Sequence, residues 1–277
     1  MTAYNRQEFI AEAIESVLAS TFTDFELLIV DDASTDKTAE IAETFAAKDE
    51  RIHVLINQKN IGQFANRNKA VTYAQGEFIM FVDSDDKIYE NGIDYCLKAM
   101  LAFPKVNVGM CYKYPDKTSP FYLDGGQAIQ IHFYERQFLA MGPGGTILNR
   151  NFFKSIGGYP EKYGPANDMY FNLKAVSTAG VLLIPFDYFF HRIHPGQEQN
   201  NEFAYLYANY NYTRDALNEL DLGLSKNQIQ YFRKKSDRRF VVNLFKYLTQ
   251  TGDLKSTKKA CQLAGFTWAN FVKGVFH

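Results

Sequence analysis

The chain has 277 residues, 46% of them hydrophobic and 16% aromatic, with a formal net charge of −1. That supply of apolar side chains builds a sizeable core, as one large domain or a domain with an appendage, and the near-neutral balance excludes nucleic-acid binding through bulk charge. Cys96, Cys111 and Cys261 show neither metal-ligand spacing nor a paired pattern and read as reduced thiols, no apolar run reaches the roughly 18 residues of a bilayer span, and no signal-peptide pattern is read.

Met1–Arg6, MTAYNR, opens with no preceding strand, although the segment after it behaves as the second element of an α/β unit. Phe9, Ile10, Ala13, Ile14, Val17 and Leu18 form one apolar stripe, which predicts a helix over Glu8–Ala19. Phe25–Val30 reads as a buried strand ending in Asp31 and Asp32, followed by a helix over Lys37–Ala47 with Ser34 and Asp36 as caps. A third strand, Ile52–Ile56, leads through the loop Asn57–Gly62 to a helix over Gln63–Ala74. The strand Phe78–Val82 and a helix from Gly92 to Phe103, stopped by Pro104, continue the alternation. Strand and helix in such units imply parallel βαβ winding.

After Val106 the alternation loosens. Val106–Tyr114 is strand-like, Pro115–Gly126 is turn-rich, and Phe133–Met141 is expected to form a short helix. Gly142–Gly145 is a loop before the strand Thr146–Leu148, Phe152–Ile156 gives one or two helical turns, and Asn167–Ala175 is a helix. Val181–Pro185 and Tyr188–Ile193 are expected strands with a turn at His194-Pro195-Gly196, and from Phe203 onward the pattern is helical with breaks near Gly223–Ser225 and Gly252-Asp253. The expected organisation is an α/β domain over 1–200, with halves 1–105 and 106–200, and a helical extension over 201–277.

The most informative stretch is GEFIMFVDSDD, Gly76–Asp86. A continuous apolar run fits a strand buried on both faces. The carboxylates of Asp83, Asp85 and Asp86 just past its end would repel one another unless a cation sat among them. Open α/β sheets bind ligands outside the carboxyl ends of their strands, so Asp83 and Asp85 read as a hard-metal and hydroxyl site for Mg²⁺ or Mn²⁺ with phosphate as co-ligand. A polar turn that caps the next helix is the other reading of the same residues.

Taken in order, AYNR, IVDDASTD, NIGQFANRN, GEFIMFVDSDD, GGT, GGYPEKYGPAND and HRIHPG resemble the family 2 glycosyltransferases over residues 1–197. The resemblance implies the GT-A nucleotide-sugar fold, a Rossmann-like mixed, largely parallel sheet flanked by helices, and an inverting transfer from a UDP-sugar. It implies that Asp32, with Asp31 beside it, accepts from uracil N3–H, that Tyr4 lies against the base, and that Arg67 and Gly62 line the nucleotide. By the same resemblance Asp83 accepts from a ribose hydroxyl, Asp85 holds the divalent ion, and Asp168 is the general base. Where the family pair is Glu-Asp, this chain has Asn167-Asp168, which puts acceptor binding by Asn167 in question. Arg192 and His194 form an Arg-x-His element similar to one in the family, which implies a pyrophosphate contact and a second metal ligand; an ordinary turn with a solvated His and an Arg packed over Tyr or Phe is the other reading. Gly144, Gly145 and Thr146 are placed on the acceptor side.

The implied acceptor is a saccharide or lipid-linked hydroxyl in polysaccharide or cell-envelope synthesis. The alternative is a catalytically silent nucleotide-binding scaffold of the same fold. A dinucleotide-binding dehydrogenase is disfavoured because no G-x-G-x-x-G opens a helix.

Two expectations concern the ends. The first strand of the sheet is expected to be wholly or largely missing, leaving neighbours unpaired and Met1 either not the native start or the mark of a fragment with impaired donor binding. Residues 226–259 carry ten Lys and Arg against Asp237 and Asp253, and Trp268, Phe271, Val272, Val275 and Phe276 share one helical face. A basic segment with an amphipathic end suits either peripheral contact with the inner face of the cell membrane or packing on protein, a homodimer partner included. The expected location is the cytoplasm, with or without that peripheral contact.

Overall fold

The computed structural model describes residues 1–194, 197, 200–267 and 269–272. Its elements run β1 (Thr2–Ala3), α1 (Ile10–Leu18), β2 (Leu27–Asp31), α2 (Thr38–Ala46), β3 (Ile52–Ile56), α3 (Gln63–Tyr73), β4 (Phe78–Met80), β5 (Lys87–Ile88), α4 (Gly92–Ala102) and β6 (Val108–Cys111). They continue with β7 (Phe121–Leu123), α5 (Gly125–Tyr134), β8 (Thr146–Asn149), α6 (Arg150–Ser155), α7 (Asn167–Ala179), β9 (Val181–Ile184), β10 (Phe189–Phe190), α8 (Glu202–Glu219), α9 (Lys226–Thr251) and α10 (Leu254–Leu263).

Helical spacing puts Ile10, Ala13, Ile14 and Val17 of α1 on one buried face. The β-branched and leucine run of β2 makes a strand that pairs in parallel with β1 and β3, Val30 opposite Thr2 and Leu55. A mixed sheet in the order β4-β8-β6-β9-β7 forms the other half, parallel only between β6 and β9, and β5 pairs antiparallel with β10. A parallel bridge from Thr2 to Asp83 joins the two larger sheets. The architecture is therefore α/β with mixed sheets and a helical C-terminal region. The carboxyl ends of β1, β2 and β4 meet along one edge, so Asp32 and Asp83 open on the same side.

The first strand, expected to be wholly or largely missing, is the two residues of β1, which are hydrogen-bonded into the sheet on the β2 side through Val30 N to Met1 O and Asp32 N to Ala3 O. The turn-rich segment after Tyr114 contains β7 and the start of α5, because the Asp124 side chain and Gln127 form a capping box that starts the helix at Gly125. The helix expected over Phe133–Met141 consequently ends at Tyr134, and the chain beyond it turns inward, burying Phe138 and Leu139. The strand expected over Tyr188–Ile193 is reduced to β10, since the Arg192 amide donates to the Asp86 carboxylate instead of a ladder partner.

The C-terminal helices pack on the α/β part. Ala208, Ala216 and Leu217 of α8 and Phe232 of α9 belong to the same core as Phe64, Phe153, Tyr159 and Phe171. Tyr163 and Tyr170 donate from their hydroxyls to Asp215 and Glu219 of α8 at 3.0 and 2.8 Å. A smaller cluster of Leu206, Tyr210, Phe240, Leu244, Ala260 and Ala264 ties α8, α9 and α10 together. Of the proposed amphipathic tail, Trp268, Val275 and Phe276 lie outside the described residues, as do Pro195 and Gly196 of the proposed turn. The Phe271 ring sits 6.2 Å from that of Phe245 on α9. No helix among the described residues is long and apolar enough to cross a membrane.

Candidate active site

A cleft of about 570 Å³ opens at the strand ends, and Tyr4, Asp32, Gly62, Arg67, Asp83 and Asp85 all line it. Asp32 is built into its floor by a buried amide network. Its Oδ1 accepts from Asn57 Nδ2 at 2.7 Å and Ile61 N at 2.9 Å, and its Oδ2 from Gly62 N at 2.9 Å. Asn57 also donates to Asn66 Oδ1, and Asn66 donates to Val30 O at 2.7 Å, so the loop between β3 and α3 is tied to β2. Gly62 opens α3 at φ +89°, a backbone angle that L side chains rarely adopt. A carboxylate offers about four acceptor positions; three are used here, which leaves one on a residue that lines the cleft.

The acidic stretch is neutralised acid by acid. Arg67, 3% exposed, pairs through Nη2 with Asp83 Oδ1 and holds Gln63 through Nη1. Asp85 Oδ2 accepts from Arg6 Nε and is hydrogen-bonded to His194 Nε2, each at 2.9 Å. Burial opposes ionisation of Asp85, yet the hydrogen bond from His194 and the charge of Arg6 outweigh it and hold the carboxyl below its ordinary range. Burial pushes Asp86 up to about 6 in spite of the Arg192 amide that it accepts from at 2.9 Å. The cation expected among these acids is thus supplied in part by Arg6 and Arg67.

Asp168 lies in the first turn of α7 and is buried. Its Oδ1 accepts from Met169 N at 2.8 Å, and its Oδ2 would lie 3.9 Å from a β-carbon on Gly142. Burial pushes its carboxyl up to about 7, against the Met169 amide and the positive charge of Arg67, while Asp83 pushes the same way as burial. Asp168 therefore shares a field with two residues of the cleft wall. Asn68 locks the intervening loop by exchanging hydrogen bonds with the Tyr159 backbone at 2.8 and 2.9 Å.

The remaining candidates sit elsewhere. Asp31 turns away from the cleft and accepts from the amide and hydroxyl of Ser34. Asn167 closes its own turn, accepting from Tyr163 N and donating to Gly164 O. Arg192 reaches Glu12 on α1 and the Asp85 carbonyl. Thr146 donates to Pro143 O, Tyr188 donates to Gly144 O, and a β-carbon on Gly145 would overlap the Met141 sulfur, so this loop is tightly packed and does not line the cleft. Conversely, Arg6, Asp86, His191 and Gln197 line the cleft without having been assigned a role. Arg6 lies inside the AYNR motif and Asp86 inside DSDD, so both were within reach of the sequence; the Asn57–Asn66 relay has no linear signature.

Among the described residues no group of three or more His, Cys, Asp and Glu is placed to cage a metal ion. Asp85 and His194 are hydrogen-bonded to each other; an ion that replaced that bond would find an oxygen and an imidazole nitrogen, a pair that suits Mn²⁺ and, less well, Mg²⁺.

Comparison with known proteins matches residues 1–156 to the model of "Glycosyl transferase family 2". TuaG of Bacillus subtilis, a glycosyltransferase named for teichuronic acid biosynthesis, is 39% identical over 99 residues, which cover 36% of this chain and 39% of TuaG. Glycosyltransferase GlyG of Streptococcus pneumoniae is 33% identical over 120 residues, 43% of this chain and 40% of GlyG. The matches thus span about two fifths of these relatives. Among solved structures, S. aureus TarS 1–349 in complex with UDP-GlcNAc aligns with a TM-score of 0.69 at 20% identity, over 99% of this chain and 80% of that one. The mannosyltransferase PcManGT of Pyrobaculum calidifontis, in complex with GDP-Man and Mn²⁺, aligns at 0.62 with 16% identity, over 99% and 85%.

Proposed function

The chain belongs to glycosyl transferase family 2, and on that footing we propose that it transfers a sugar from a UDP-sugar to a hydroxyl of a saccharide or lipid-linked acceptor in polysaccharide synthesis, with inversion at the anomeric carbon. The observation that carries the reading is the convergence of Asp32, Arg67, Asp83 and Asp85 on one cleft, with Asp168 buried in the first turn of α7 within the field of Arg67 and Asp83. The remaining acceptor position of Asp32 suits an N3–H donor, and a ring without a donor there would leave a buried carboxylate position unpaired. Tyr4, 44% exposed at the cleft, offers a ring to the base. Asp83, oriented by Arg67, is free to accept from a ribose hydroxyl through its second oxygen. A divalent ion, when bound, would be held by Asp85 and His194 and would offset the charge of the diphosphate.

Asp168 does the proton work. A carboxylate poised near neutral pH takes the acceptor proton as the hydroxyl attacks the anomeric carbon and the bond from that carbon to the diphosphate oxygen breaks, releasing UDP; one displacement with one base inverts the configuration. The N-terminal turn of α7 stabilises the ionised form. Measuring UDP against NAD binding, each with and without Mn²⁺, and then screening UDP-sugars for hydrolysis or transfer tests the reading. UDP binding with no turnover of any UDP-sugar would leave the silent scaffold; NAD binding without UDP binding would end the glycosyltransferase assignment.

A further inference from the structure

A second cavity, of about 160 Å³, lies between α5, α7, α8 and α9, outside the nucleotide cleft. Its wall includes residues close in sequence to Asp168 and to the Gly142 that faces it. Met169, next in sequence to Asp168, lines it, and so does Ala140, two residues before the Gly142 that faces Asp168 Oδ2. Tyr212, also on its wall, senses the charges of both Asp168 and Arg239. The cavity is well below the roughly 300 Å³ at which pockets begin to enclose drug-sized ligands, a size for one sugar ring.

Its lining has three kinds of surface. Aromatic rings from Phe133 and Phe232, with centroids 4.7 Å apart, give an apolar wall of the kind that packs against the C–H face of a pyranose. Asn209 contributes a side-chain oxygen that is shielded from solvent and has no hydrogen-bond partner; an acceptor in that state calls for an O–H donor. Lys235 and Arg239 stand exposed at the mouth on successive turns of α9. Among the described residues neither joins a salt bridge, and Arg239 has only a long contact with Gln137 Oε1 at 3.4 Å.

We propose that this cavity is the acceptor subsite, taking a sugar ring whose hydroxyl donates to Asn209 and whose anionic substituent, a carboxylate or a phosphate, is held by Lys235 and Arg239. The acceptor is then an anionic glycan, and its attacking hydroxyl reaches Asp168 past Met169. The inference rests on the glycosyltransferase reading and names the acceptor class for it.

The test uses the whole chain with UDP present and measures binding of methyl glucoside, methyl glucuronide and methyl glucoside 6-phosphate by calorimetry. At least one anionic glycoside is expected to bind about tenfold or more tighter than the neutral one, a gap of about 1.4 kcal/mol; which one does so separates a carboxylate acceptor from a phosphate acceptor. The double variant K235Q/R239Q is expected to lose that advantage while binding methyl glucoside as before, and N209L to weaken the neutral and anionic ligands alike. Thermal unfolding of each variant checks that it folds. Equal binding of all three glycosides, or an anionic preference that survives K235Q/R239Q, overturns the subsite; loss of UDP binding by the unmodified chain would instead overturn the donor reading, so the two failures are distinct.

Discussion

His194 Nε2 lies 2.9 Å from Asp85 Oδ2 although 109 residues separate them, and Arg6 Nε occupies the same carboxylate oxygen from the opposite end of the chain. A cation bound there must compete with the guanidinium for Oδ2. The substitution D85N is expected to reduce UDP affinity in Mn²⁺ by about 10–100-fold, the range seen when a metal site loses part of its support, and to change affinity little in EDTA. Calorimetric titration of UDP under both conditions checks it, and an equal loss in EDTA would assign Asp85 to Arg6 and not to an ion.

Asp168 gives the pH dependence. Its folded carboxyl is raised from the ordinary 3.8 to about 7, so kcat is expected to climb as pH passes about 7 and to level off above it. D168N should lower kcat by about 10²–10⁴-fold while UDP binding stays near wild type. The sign for stability is the reverse of the usual carboxylate: the native state holds the proton through pH 4 to 7, so stability falls with rising pH across that window. D168N should therefore raise the melting temperature at pH 8 and hardly at pH 4, with an upper bound of about 4 kcal/mol at roughly 1.4 kcal/mol per pH unit.

Arg67 is 3% exposed at its side chain, and its partner Asp83 is 33% exposed. R67M strips a buried pair of its cation. Removing one partner of such a pair costs about 3–5 kcal/mol, and the low end is expected because Asp83 can draw on solvent. Urea unfolding of R67M and of R67M/D83N measures it; the double variant should recover part of the loss.

Asp32 accepts three hydrogen bonds from the loop between β3 and α3. D32N turns one acceptor into a donor in that network. The expected result is a loss of about tenfold or more in UDP affinity together with a narrowed preference for UDP over CDP, read by competition binding. Unchanged base preference would remove Asp32 from the uracil edge.

Apart from the two-residue strands β1 and β5, strand and helix order through α4 was legible in the chain because the signal is local. The α1 stripe at Ile10, Ala13, Ile14 and Val17 and the apolar run of β2 each follow from side-chain periodicity alone. The motif order from AYNR to DSDD likewise brought Tyr4, Asp32, Arg67, Asp83 and Asp85 to one cleft. Other placements depended on which group reached a partner first. Asp31 and Asp32 are neighbours with the same side chain, yet strand alternation sends one to Ser34 and the other to the cleft. Arg192 was captured by Glu12, Asn167 by its own turn, and α5 started early at the Asp124 cap. The order of residues sets what each side chain is able to bind and the period at which it recurs; packing between segments distant along the chain decides which bond is made, because every donor and acceptor competes for partners that only the folded chain brings within reach.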